Sequence, residues 1–95
     1  MNYGKAIKKI RSLKKISQVE LSEEAKIGKS YLSKIENGES VPALDKLEKI
    51  SEALDVPFYL MAFLASEKND LDSLPLKAAD EMKKHLFDMV MSIDE

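Results

Sequence analysis

The chain has 95 residues, 44% of them hydrophobic and 34% charged, with a formal net charge of -2. This is enough apolar material for one packed domain with an appended element, and too much for a disordered chain. With no cysteine and one histidine, a disulfide framework, a zinc-finger ligand set, a thiol nucleophile and a multi-histidine metal site are all excluded. Absence of cysteine suits a reducing compartment, and no charged-then-apolar leader opens the sequence. The longest apolar run, Val56 to Ala65, is about half the length of a membrane span. A cytoplasmic protein without a membrane partner is expected.

The small net charge hides an asymmetry. Residues 1–38 carry nine basic and four acidic residues, whereas 39–95 carry six basic and thirteen acidic ones. Only the first part is suited to face a polyanion.

In chain order, Asn2 to Lys15 reads as a first helix, with Ile7, Ile10 and Leu13 turned inward. Ile16 follows as a hydrophobic staple, and Ser17 with Glu20 forms a capping box that opens a second helix. Leu21 and Ala25 share one face of it. Lys26-Ile27-Gly28 is too short for anything but a tight turn. A third helix then starts near Gly28 or Lys29, buries Leu32 and Ile35, and stops at Asn37-Gly38, a pair suited to a left-handed cap. Two short helices joined by so short a turn make a helix-turn-helix unit. The outer side of the third helix carries Lys29, Ser30, Tyr31, Ser33, Lys34 and Asn37. Their ammonium, hydroxyl and amide groups are the donors needed at phosphates and base edges.

Past a loop at 39–42, Pro42 suits a helix start. Leu44, Leu47, Ile50 and Leu54 follow at spacings of three, three and four, an amphipathic fourth helix that Asp55-Val56-Pro57 ends. The fifth, 57–65, is apolar nearly all round, as in a central core helix or one covered by a partner. Residues 66–73 read as a linker. The last element, 74–95, is a helix whose apolar stripe runs through Ala78 or Ala79, Met82, Leu86, Met89 or Val90, and Ile93. The expected organisation is all-α, with a five-helix domain over 1–65 and an additional C-terminal helix.

Residues 4 to about 64 resemble the Cro and phage-repressor type of helix-turn-helix regulator, a five-helix DNA-binding domain. The resemblance rests on Ile16-Ser17-Gln18 with Glu20-Leu21, on the run from Ser30 to Gly38, and on Pro42 with Leu44 to Leu54. It implies that Gln18 contacts the DNA backbone while bracing the recognition helix. It places Lys29, Ser30, Ser33 and Lys34 at bases or nearby phosphates, Tyr31 at another DNA-facing position and Asn37 at a phosphate. It also implies an ion pair between Arg11 and Glu36. The chain departs from the family's usual residues at Ser22, Lys26 and Gly28, and Lys26 would be strained if its backbone is left-handed.

No catalytic constellation accompanies His85, which reads as a surface residue, and the three glycines form no phosphate-binding loop. No enzyme and no cofactor are expected. The resulting reading is a sequence-specific transcriptional regulator that binds double-stranded DNA as a homodimer on a palindromic operator. One such domain makes too few base contacts for tight selectivity. Phe58, Met61 and Phe63, with Met82, Leu86 and Met89 of the last helix, are the expected dimer contacts. The alternative is an antitoxin-like or anti-regulator module whose C-terminal helix binds another protein.

Overall fold

A computed structural model describes residues 1–66 and 75–92. These form six helices: α1 (Tyr3–Leu13), α2 (Gln18–Ala25), α3 (Lys29–Glu36), α4 (Leu44–Ala53), α5 (Phe58–Ala65) and α6 (Leu76–Ser92). There is no strand among the described residues. The expected linker lies, except for Ser66, outside them, as does Ile93.

The first five helices are short because the sequence stops them at regular corners. After α1, α2 and α4 the backbone passes through a left-handed residue, Lys15, Lys26 and Asp55. Each is followed by a β-branched apolar residue, Ile16, Ile27 or Val56, that packs against the core. The residue after that, Ser17, Gly28 or Pro57, is the extended N-cap of the next helix. At every corner the N–H of the apolar residue donates to a carbonyl five residues back: Ile16 to Arg11, Ile27 to Ser22, Val56 to Ser51, each at 3.0 Å. This is the Schellman arrangement, which satisfies the last helical carbonyls and tucks an apolar side chain under the helix end. Gly38 supplies the left-handed residue after α3, with Glu39 N–H donating to the Lys34 carbonyl at 2.8 Å.

Start signals are equally local. Asn2 Oδ1 accepts from Lys5 N–H and caps α1. Ser17 and Glu20 form the reciprocal capping box at α2. The fourth helix begins at Leu44 with Ala43 as its N-cap, so Pro42 precedes it and is itself buried.

The core draws on every helix: Ile7 and Ile10 from α1, Leu21 from α2, Leu32 and Ile35 from α3, Leu47 and Ile50 from α4, Phe58 and Met61 from α5, and Ala78 from α6. Burial of each large side chain stabilises the fold by about 1.5–3 kcal/mol. Leu13 and Leu44, expected inside, are 74% and 47% exposed. Leu13 falls on the last residue of α1 and Leu44 on the first of α4, where the helix has no neighbour on that side.

Phe58 and Met61 correct the expected dimer contacts. They are 3% and 0% exposed within one chain, with Tyr3 stacked on Phe58 at 6.4 Å. A side chain already enclosed by its own core has no surface left for a partner. The outer face of α5 instead presents Leu60, Phe63 and Leu64. The last helix lies on α5: Ala78 is fully enclosed, Met82 and His85 are half-buried, and the His85 ring meets Tyr59 edge-on at 5.1 Å. His85 is therefore a packing residue rather than a surface one. Lys77 Nζ reaches Glu48 Oε1 at 2.6 Å and ties α6 to α4. Past His85 the helix leaves the domain, and Leu86, Phe87, Met89 and Met91 are exposed.

Candidate nucleic-acid interface

The second and third helices are held at a fixed angle by one buried carboxylate. Glu36, on the last turn of α3, has a side chain only 1% exposed. Arg11 of α1 donates to it twice, Nε to Oε2 at 2.9 Å and Nη2 to Oε1 at 3.0 Å. The remaining guanidinium arm, Nη1, donates to the Ile16 carbonyl at 2.9 Å. Gln18, at the start of α2, donates Nε2 to Glu36 Oε1 at 3.1 Å. Three helices thus meet on one side chain, with the bidentate geometry that makes charge-assisted bonds strong and directional. The ion pair implied by the resemblance is present, and Gln18 braces α3 through it.

With Leu32, Ile35 and Glu36 buried, α3 turns its other polar side chains outward. Gln18, Lys29, Ser30, Ser33 and Lys34 line one open groove of about 430 Å³. Asn37 is exposed at the far end of the helix. Tyr31 is placed differently: it is half-buried and packs against the core, so its ring supports the helix from the side. Glu39 completes the groove. It falls in the loop after the cap, where no periodicity marks which way a side chain points.

The start of α3 is built against its own stability. Gly28 makes no side-chain cap, and Lys29 places a cation at the positive end of the helix dipole, an arrangement that costs roughly 0.3–1 kcal/mol. Uncapped N–H groups beside an ammonium and a hydroxyl constitute a donor set that an anion completes. Among the described residues no group of His, Asp and Glu is placed to hold a metal ion, and no helix is long and apolar enough to cross a membrane.

A corner between two short helices, a polar outer face on the second and a carboxylate brace beneath define a helix-turn-helix domain. The helix-turn-helix family model matches residues 7–60, and the chain belongs to that family, in its Cro and phage-repressor branch. Proteins of that family are DNA-binding transcriptional regulators. The chain is 41% identical over 56 residues to the immunity repressor protein of Bacillus phage phi105, covering 59% of this chain and 39% of the relative. It is 41% identical over 70 residues to the transcriptional regulator SinR of Bacillus subtilis, covering 73% of this chain and 60% of SinR. The chain therefore spans less than two thirds of these relatives. Among solved structures it resembles the restriction-modification controller protein C.AhdI of Aeromonas hydrophila, with TM-score 0.61, 25% identity, and 63% and 91% of the two chains covered. A structure of the SinR protein/SinI protein complex gives TM-score 0.61 and 33% identity over 97% of this chain and 81% of that one.

Proposed function

We propose that the chain binds a palindromic operator as a homodimer, with α3 of each copy in the major groove. The observation that carries this reading is the groove itself: five donor side chains from α2 and α3 converge on one face of a chain that is acidic overall. Gln18 and Asn37 are assigned to phosphates. Lys29, Ser30, Ser33 and Lys34 are assigned to base edges and adjacent phosphates, and Tyr31 to the flank of the helix. The contact between copies is assigned to the exposed face of α5, at Phe63, and to Met82, Leu86 and Met89 of α6. Two-fold pairing through these surfaces would present two recognition helices to half-sites about 34 Å apart.

Selection from a random-sequence duplex pool with the purified protein tests the reading. The expected product is an inverted repeat. Replacing Lys29, Ser30 and Lys34 together by Ala should abolish its binding while the helical circular dichroism is kept. A pool with no enriched sequence, or unchanged affinity in the triple variant, would refute it.

A second reading has one observation in its favour. The likeness to a chain of the SinR protein/SinI protein complex extends over 97% of this chain, more than the five-helix domain alone. On that reading α6 takes a different protein, which would displace the second copy. Co-purification of a hetero-complex at the expense of the homodimer distinguishes the two.

A further inference from the structure

Gly4 lies where α1 packs directly on the backbone of α3. A Cβ built on it would sit 2.0 Å from the Ile35 carbonyl oxygen and 3.1 Å from the Glu36 Cα. Both are backbone atoms, so no side chain can rotate away to make room. Ordinary carbon–oxygen contacts stand at about 3.3 Å or more, so a methyl group at this position would drive α1 and the last turn of α3 roughly 1.3 Å apart.

The place where this happens decides what it does. Gly4 and Arg11 are seven residues apart on α1, hence on the same face two turns along. Both meet α3 at its end: Gly4 through the backbone of Ile35 and Glu36, Arg11 through the Glu36 carboxylate. Two points of contact fix the inclination of α3 on α1, whereas Arg11 alone would leave a pivot. The first turn of α1 is itself anchored, because Asn2 N–H donates to the Ala65 carbonyl at 2.6 Å and Tyr3 stacks on Phe58. That anchoring holds the first turn of α1 to α5, so the displacement falls mainly on α3.

We infer that Gly4 is a positioning residue for DNA recognition: its missing side chain sets the angle at which α3 presents Lys29, Ser30, Ser33 and Lys34. The inference rests on the proposed function, in which those side chains read bases. Base readout tolerates misplacement of about 0.5 Å. Phosphate contacts made by flexible lysines tolerate far more, and they carry most of the sequence-independent affinity.

The test compares Gly4→Ala with Ile50→Val, a buried change on α4, at a temperature where both are folded. The probes are a duplex selected by the parent protein and a scrambled duplex of equal length. Gly4→Ala should lose about tenfold or more on the selected duplex, the scale of one good base contact, and keep its affinity for the scrambled one. Ile50→Val should bind both like the parent. Equal binding of the selected duplex by Gly4→Ala and the parent, or equal losses on both duplexes, would overturn the inference. If Gly4→Ala does not fold, Asn2→Ala decides: without its cap the first turn loosens, and affinity for the selected duplex alone should fall about threefold, whereas no change overturns it. A parent protein that selects no duplex would instead refute the DNA reading on which the inference rests.

Discussion

The helix-turn-helix corner and the α5–α6 pair are both made of two helices consecutive in the chain, yet they finish folding in opposite conditions. In α2 and α3 the apolar side chains Leu21, Ala25, Leu32 and Ile35 are all buried, and the outward face is polar apart from the exposed Val19. In α5 and α6 the apolar supply exceeds what the domain can enclose. Leu60, Phe63 and Leu64 remain exposed on one helix and Leu86, Phe87, Met89 and Met91 on the other. One region is nearly complete as an apolar structure and incomplete as an electrostatic one. The other is the reverse. A polyanion satisfies the first, and only an apolar surface satisfies the second.

The largest effect is expected from breaking the brace that holds the polar region in shape. Glu36→Ala leaves the Arg11 guanidinium partly buried without its counter-charge, and Arg11→Ala leaves Glu36 nearly wholly buried without its own. Each should cost about 3–5 kcal/mol in urea unfolding. The double variant should cost clearly less than the two losses together, because it removes both charges. Strict additivity would mean that the bonds at 2.9 and 3.0 Å do not couple the residues energetically.

Next comes the apolar region. Replacing Leu86 and Met89 by Ser removes side chains that are 54% and 62% exposed in one chain. Stability at high dilution should change by less than about 0.5 kcal/mol per site, as for surface positions. If these residues lie in the contact between copies, sedimentation should show dimer dissociation at least about tenfold easier. An unchanged dimer would move the contact to Leu60, Phe63 and Leu64.

Much of this was legible in the sequence because helix starts and turns are local. The Ser17–Glu20 box, the Asn37-Gly38 stop and the period of Leu47, Ile50 and Leu54 each lie within one or two turns of chain. The Arg11–Glu36 pair, 25 residues apart, came from the resemblance and not from any pattern. Periodicity was weakest where composition gave no contrast. In α5 every position is apolar, so nothing in it distinguishes buried Phe58 and Met61 from exposed Leu60 and Phe63. The Gly4 contact was invisible for a related reason: a missing side chain leaves no periodic mark, and its partner is a backbone carbonyl far along the chain. The three corners built on Lys15-Ile16, Lys26-Ile27 and Asp55-Val56 could have been read. Each is a polar residue and a β-branched one ahead of an N-cap, and only the absence of glycine conceals the left-handed turn.

A smaller effect is expected at one of those corners. Lys26 holds φ 57° and ψ 44°, a conformation that costs an L-residue roughly 1–2 kcal/mol. Glycine adopts it freely but loses more entropy on folding. The net gain from Lys26→Gly should be about 0.5–1 kcal/mol, seen as a higher melting temperature. Since Lys26 lies outside the groove, affinity for the selected duplex should stay within a factor of about two. A lower melting temperature would mean that the lysine stem contributes more by packing than its backbone costs.

The smallest predicted change tests the polar region at its one discordant residue. Glu39 is the sole carboxylate lining the groove with Lys29, Lys34 and Gln18, and it is exposed. Against a phosphate its charge is repulsive. Against a base edge it can accept from the amino group of cytosine. The two roles separate in Glu39→Gln, which keeps the shape and removes the charge. If Glu39 acts by repulsion, affinity for a scrambled duplex should rise about threefold at low salt and converge with the parent as salt increases, because screening removes the term. If it reads cytosine, affinity for the selected duplex should fall while the scrambled one is unchanged, and the preference at one position of the operator should relax. The groove geometry favours repulsion. The carboxylate follows the C-terminal end of α3, on the side lined by Gln18, which the resemblance assigns to the DNA backbone, while Lys29 and Ser30 open the helix at its other end.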